Sequence, residues 1–392
     1  MTAIPLSISP RQARAARFAT SAIFFANGVV IATWVVRVPS VRDALGLSTV
    51  EVGLALLGMA VGSLIAMPQT GALAARYGTR RVTVTAGALM MIALLLPFLA
   101  PSIWTLFAAL AVLGACNGVM DVAMNAQGVA VERALGKPVM SSFHAFYSLG
   151  NLCGAVVGSV LLGWHVGRLP HALIITLCMG AMVLGCGRWL LHKSADEPDP
   201  SPTDSTSTPA SSPHFLIWML GALCFLGMLG EGSLGDWSGL YSKDVLGVSG
   251  AALGAAYTAF ALTMTLGRSV GDRWRSLYGD RRVVTVGGLV SGIGLGLGLL
   301  TLNPYVALVG FLAFGLGIAN LVPVLFSTAG RALSGRGIAR VATIGYAGFL
   351  AGPPLIGFVS EMTSLRIGLG ITALCLLLVG LATPWVYRKL GR

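Results

Sequence analysis

The sequence predicts an all-α integral membrane protein of twelve transmembrane helices, arranged as two pseudo-symmetric six-helix bundles. Three observations predict it. Of the 392 residues, 55% are hydrophobic and only 10% are charged, where a soluble chain carries about 25% charged residues. Twelve mostly apolar stretches are each near the roughly 20 residues that a helix needs to cross the hydrocarbon core. Features of the first half also recur in the second at an offset of about 200 residues.

In chain order, the first stretch, 17–37, follows the basic segment MTAIPLSISPRQARAAR and has no clear small-residue cleavage site after it. It reads as a retained helix rather than a removed signal peptide. Next come 51–75, 82–100 and 103–131, the last two divided only by Pro101-Ser102, and then 141–163 and 170–191. The segment HKSADEPDPSPTDSTSTPASSP (192–213), rich in Pro, Ser, Thr and Asp, cannot bury anything and reads as a flexible cytoplasmic linker. It separates an amino-terminal bundle (1–191) from a carboxyl-terminal bundle (214–392), whose spans are 215–238, 251–271, 283–302, 304–330, 341–361 and 366–387.

Charge placement predicts the orientation. With both termini cytoplasmic, all 26 Lys and Arg residues except Arg37, Arg42, Arg168, Lys243 and Arg366 fall on the cytoplasmic side, Arg268 among them. An odd number of spans would put the basic carboxyl-terminal cluster outside. The net charge of +12 does not signal nucleic acid, because the basic residues fall between apolar runs instead of clustering on a soluble face. The six cysteines lie within apolar segments without CxxC or Cys/His spacing and read as small buried apolar residues. No P-loop, HExxH or GxSxG motif is present, so neither an enzyme, nor a cofactor, nor a metal site is expected.

The internal repeat rests on several short matches. Gly46-Leu-Ser48 recurs as Gly247-Val-Ser249, and Arg133-Ala-Leu135 as Arg331-Ala-Leu333. Asn27-Gly28 ahead of Trp34 is answered by Glu231-Gly232 ahead of Trp237, and GALAARYGTRR (71–81) by GRSVGDRWRSLYGDRR (267–282).

Two parallel six-helix repeats with substrate bound near mid-membrane are the organisation of the major facilitator superfamily, which this sequence resembles over nearly its whole length. The stretch 71–81 is similar to the family's cytoplasmic loop signature, with Gly71, Leu73, Ala74, Arg76, Gly78 and Arg81 in place and Ala75 where an Asp is usual. The second copy keeps an acid in Gly271-Asp272-Arg273. By this resemblance Gly71, Arg76, Gly78, Arg81, Asp272 and Arg273 are gating candidates. DVAMNAQGVAVERALGKPVMSSFHAFYSLGN (121–151) and EGSLGDWSGLY (231–241) more closely resemble bacterial inner-membrane permeases of the YbjJ and MosC type, themselves similar to the fucose:proton symporters. The resemblance implies a multi-pass protein of the bacterial inner (plasma) membrane, acting as a monomer on a small-molecule substrate and protons, with the lipid bilayer around it.

Within the spans, Asn117, Asp121 and Asn125 lie four residues apart, on one helical face and about 6 Å apart along the axis. An unpaired carboxylate at membrane depth costs about 2.5–3.5 kcal/mol on insertion scales, so it should face the bundle interior or a wet cavity. The alternative is structural, with Asp121 capping a broken helix or pairing with Arg133. By the resemblance to fucose symporters, Asp121 is the first proton-coupling candidate. Glu231 in the seventh span is the second, and His144 a third. His144, Tyr147, Ser148 and Asn151 share one stripe of the fifth span. Asn27, Asn117, Asn125, Tyr147, Asn151 and Asn320 are substrate-cavity candidates. Arg37 and Asp236 are read as an outer gate pair.

Gly150, Gly154 and Gly158 recur as Gly348, Gly352 and Gly357, where Pro353-Pro354 is expected to interrupt the eleventh span. Gly352 and Pro353 are therefore gating candidates too, although static close packing explains any single glycine equally well. The expected function is proton-coupled secondary transport of a small polar solute, sugar-like or polyol, by alternating access. The alternatives are efflux of amphipathic compounds or drugs, and a transporter-like membrane sensor.

Overall fold

The computed structural model describes residues 9–136, 139–192, 213–332 and 335–390. The polar segment read as a linker lies almost wholly outside the described residues. Among the described residues, twelve helices are long and apolar enough to cross a membrane. They are α1 (Pro10–Leu45), α2 (Thr49–Tyr77), α3 (Thr79–Leu99), α4 (Ile103–Leu135), α5 (Ser142–Gly163), α6 (Arg168–Gly187), α7 (Phe215–Asp244), α8 (Gly250–Gly271), α9 (Arg273–Leu300), α10 (Pro304–Ala329), α11 (Thr343–Met362) and α12 (Leu365–Lys389). Among the described residues there are no strands. The α2–α3 turn and the turn at Gly279 inside α9 mark the basic end of the helices.

Contacts gather the chain into two compact units. The first is Met1–Arg37, Gly58–Gly158 and Val166–Asp204; the second is Val38–Leu57, Ser159–His165 and Ser205–Arg392. The second unit thus takes in the ends of α1, α2 and α5 remote from the basic end.

The repeat seen in the sequence reappears as paired local structures. In the first unit α5 crosses α1 so closely that a Cβ on Gly150 would run into the carbonyl of Phe25, and one on Gly154 would stand 2.7 Å from that of Val29. In the second unit α11 crosses α7 in the same way, Gly348 lying against the Phe225 carbonyl and Gly352 against Ser233. Small residues replace side-chain bulk with backbone contact, which is how helices associate where lipid supplies no hydrophobic drive. Ser102 caps α4 in a reciprocal capping box with Thr105, and Asn303 caps α10 by accepting from the Tyr305 and Val306 amides.

The basic loops are shorter than the sequence suggests. Residues 71–77 and 267–278 are helical, and each expected loop shrinks to one residue, Gly78 (φ 84°, ψ 146°) or Gly279 (φ 77°, ψ 156°). A non-glycine residue there costs about 1–3 kcal/mol. Gly78→Ala and Gly279→Ala are each expected to lower the melting temperature in detergent by a few degrees, checked by scanning fluorimetry; an unchanged value would mean that the turn reforms differently. Beside each turn sits a polar staple. Gln127 of α4 donates to Thr79 Oγ1 at 2.7 Å and to the Leu191 carbonyl at 2.9 Å. In the second unit Thr328 of α10 stands 3.5 Å from Asp280 and 2.8 Å from the Tyr387 hydroxyl, while Asp280 accepts from Arg275 at 2.9 Å.

Two helices depart from expectation. The Pro353-Pro354 pair does not interrupt its span, because one helix runs from Gly335 to Met362 through both prolines. Neighbouring helices re-satisfy backbone groups freed by proline in a membrane bundle. The break falls instead in α10, where helices Pro304–Ile318 and Leu321–Ala332 are separated by Ala319 and Asn320.

Candidate functional site

In the first unit the polar face of α4 is divided in its use. Asn27 of α1 is 2% exposed and donates to Asn117 Oδ1 at 2.9 Å, with the sulfurs of Met90 and Met120 at 3.6 and 3.5 Å. Asn27 therefore ties α1 to α4 and is closed to a solute in this conformation. Asn117, Asp121 and Asn125 are half-buried. Asn125 Nδ2 donates both to the Asp121 carbonyl at 2.9 Å and to Asp121 Oδ1 at 3.2 Å. Asp121 has no cationic partner among the described residues, Arg133 included. A carboxylate in a membrane-crossing helix, met by one amide, can gain or lose a proton without breaking an ion pair.

The α5 stripe packs on α1. A Cβ on Gly28 would meet the Tyr147 carbonyl and the Asn151 amide, so the absence of a side chain at Gly28 lets the two helices touch there. Asn151 and Ser148 are buried, Tyr147 is half-buried and His144 is exposed, its ring edge-on to Phe24 at 5.3 Å.

Arg37 is 3% exposed and donates Nε to His171 Nδ1 and a terminal nitrogen to the Val166 carbonyl, both at 2.9 Å. His171 accepts at Nδ1, so it is the neutral tautomer with its proton on Nε2. Sequence reasoning misses this buried Arg–His contact between α1 and α6, because a lone His in an apolar run gives no signal of its partner.

In the second unit Glu231 of α7 pairs with Arg268 of α8 at 3.0 Å, the side chains being 22% and 19% exposed. Arg268 Nε also donates to the carbonyl of Ala319, at the break in α10, at 3.3 Å. Asn320, the next residue, donates Nδ2 to the Gly267 carbonyl at 2.7 Å. The broken helix, the ion pair and the amide form one cluster, the local pattern by which discontinuous membrane helices bind polar groups. The charge pattern groups Arg268 with the cytoplasmic loop cations, whereas the structure places it within a span. Its position inside the apolar run 251–271 is the available signal, since an ionisable residue within a span marks a functional site by default. Asp236, also in α7, is half-buried and has no hydrogen bond or ion pair among the described residues.

At the end remote from the basic turns, the second unit holds two ion pairs between helices among the described residues, beside a contact of Arg42 with its neighbour Asp43. Arg42 reaches Asp244, and Lys243 reaches Asp43. These are the residues preceding Gly46-Leu-Ser48 and Gly247-Val-Ser249, so the repeated turns bind each other reciprocally, basic residue to acidic residue in both directions. The acid–base contacts here are carried by these four residues, while Arg37 is committed to His171 and Val166. Close by, Gly53 lies 2.7 Å, as a built Cβ, from the Pro353 carbonyl, and Gly357 lies 3.0 Å from that of Thr49. Of the other gating candidates, Gly71, Arg76, Arg81 and Arg273 are exposed, with Arg76 over the Tyr77 ring. The side chain of Asp272 lies outside the described residues.

A duplicated bundle of twelve membrane-crossing helices, with carboxylates and amides inside the spans, defines a membrane transporter. The chain belongs to the major facilitator superfamily: its residues 17–271 match the Major Facilitator Superfamily profile. It is 37% identical to an uncharacterised MFS-type transporter of Yersinia pestis, over 94% of this chain and 95% of that protein. It is 34% identical to the membrane protein MosC of Rhizobium meliloti, over 91% of this chain and 86% of MosC. Among solved structures, a single-site mutant of the nucleoside transporter NupG superposes with a TM-score of 0.72 at 15% identity, covering 95% of this chain and 99% of that one. A single-site mutant of the Escherichia coli fucose:proton symporter FucP does so at 0.62 and 15% identity, covering 94% and 98%. At these identities the structural likeness speaks for the fold.

Proposed function

We propose that this transporter is a proton-coupled secondary carrier of a small polar solute, with Asp121 as the coupling acid. The observation that carries the reading is the unequal state of the two intramembrane acids. Glu231 is neutralised by Arg268, whereas among the described residues Asp121 is met by the Asn125 amide alone. A group that must alternate between charged and neutral states in mid-transport is better served by an amide than by a fixed cation, which would hold it ionised. Asn117 and Asn125 beside Asp121, with Tyr147 on α5, offer uncharged donors and acceptors suited to a hydroxyl-bearing solute. The Glu231–Arg268 pair at the broken α10 gives a second polar contact point. Both termini are assigned to the cytoplasm on the distribution of Lys and Arg, and the protein to the bacterial inner membrane on its similarity to bacterial membrane transporters.

The reciprocal pairs Arg42–Asp244 and Asp43–Lys243 act as a latch on the outer ends of α1 and α7, and release during the transport cycle. Partly exposed pairs contribute about 0.2–1 kcal/mol each, enough to bias a conformational equilibrium and small enough to break within it. Arg42→Asp is expected to speed amide exchange in the α1–α2 turn by about two- to fivefold, read by hydrogen–deuterium exchange. Adding Asp244→Arg restores the original rate. A rate unaffected by the first change removes the latch.

The reading is tested by ligand-induced thermal stabilisation of the purified protein against sugars, polyols, nucleosides, organic acids and cationic dyes at two pH values. Stabilisation by a polar solute, with a pH dependence that Asp121→Asn abolishes, supports it. Stabilisation by amphipathic dyes alone favours efflux and overturns it.

A further inference from the structure

At the basic end of the second unit, a groove of about 350 Å³ runs along α9 and is walled by Trp274, Tyr278, Arg282, Val286, Val290 and Leu316. Its floor is Gly287 and Gly317, where α9 and α10 approach so closely that a Cβ on Gly287 would strike the Gly317 carbonyl. Asn320 also borders it and donates from Nδ2 to the Gly267 carbonyl. Val286 and Tyr278 are each 57% exposed. The walls are otherwise aliphatic, and among the described residues no acid lines the groove.

We propose that this groove binds an anionic glycerophospholipid from the leaflet at the basic end, the phosphate at Arg282 and one acyl chain along Val286, Val290 and Leu316. Three features select that occupant. Arg282 is exposed and has no ion-pair partner among the described residues, so the mouth carries an uncompensated positive charge. Trp274 and Tyr278 stand beside the turn at Gly279, at the level where aromatic side chains meet lipid headgroups. The eight residue steps from Arg282 to Val290 rise about 12 Å, against about 15 Å for the hydrocarbon thickness of one leaflet, so the groove has the depth of one acyl layer. A solute path would need polar walls where this groove has aliphatic ones.

The lipid would brace the α9–α10 contact next to Asn320 and the break in α10. The test is native mass spectrometry of the full-length protein released from micelles doped with phosphatidylglycerol or phosphatidylcholine. Phosphatidylglycerol should be retained preferentially. Arg282→Gln should weaken that retention about fivefold, the effect of one basic residue on an anionic lipid. Val286→Trp, which fills the groove without changing charge, should weaken retention of both lipids. Arg281→Gln, beside the groove and outside its lining, should leave it unchanged. Equal losses in Arg281→Gln and Arg282→Gln would show a diffuse basic belt and overturn the site, as would retention indifferent to Val286→Trp. Inorganic phosphate that competes as well as the lipid would reduce the site to an anion contact and likewise overturn it.

Discussion

Asp121→Asn is expected to abolish gradient-driven solute accumulation, lowering it by at least about tenfold, the loss general acid–base groups commonly show, while leaving the fold intact. The amide has nearly the shape of the carboxylate and can still accept from Asn125, but it cannot carry a proton between the two sides of the membrane. Stability should hold or rise, because a carboxylate at membrane depth costs about 2.5–3.5 kcal/mol on insertion scales and the amide is not charged. In proteoliposomes with an imposed pH gradient, the variant should fail to concentrate the solute identified by thermal stabilisation. With no gradient, it should still exchange external for internal solute. Loss of both activities would assign Asp121 to solute binding, and loss of neither would remove it from transport.

The second large effect is expected at the Glu231–Arg268 pair. Glu231→Gln removes the Glu231 carboxylate from Arg268, whose Nε still donates to the Ala319 carbonyl. Breaking one partner of a fully buried pair costs about 3–5 kcal/mol; with both side chains about one-fifth exposed, the cost is expected below that range. Arg268→Gln alone should destabilise for the mirror reason. The double variant, two neutral amides facing each other, should recover most of the lost melting temperature while remaining impaired in transport. Additive losses would mean that the two side chains act independently, and would detach the ion pair from the break in α10.

These two sites show how far the sequence can be read. Span number and repeat are legible because apolar length and the offset of about 200 residues are carried by many positions at once. The single-residue turns at Gly78 and Gly279 are hidden because the flanking residues are polar enough to read as loop while still helical. Proline acts unevenly: Pro353-Pro354 sits inside a continuous helix, whereas Pro323, which has no N–H for the Ala319 carbonyl four residues earlier, follows the break in α10 at Ala319-Asn320. Side-chain pairing is the least legible. Asn27 is expected on a wet surface and is buried against Asn117; Arg268 is expected among loop cations and neutralises Glu231. Partners 90 and 37 residues apart are set by how helices rotate against one another, which glycine contacts such as Gly28 with Tyr147 decide and residue type alone does not.

The central claim, that Asp121 is the acid which takes up and releases the coupling proton, is tested most directly by infrared difference spectroscopy of the reconstituted protein on acidification. The account predicts a protonated-carboxyl stretch that appears as pH falls, vanishes in Asp121→Asn and persists in Glu231→Gln. A band that survives in Asp121→Asn and is lost in Glu231→Gln would contradict it and move the proton to the second unit.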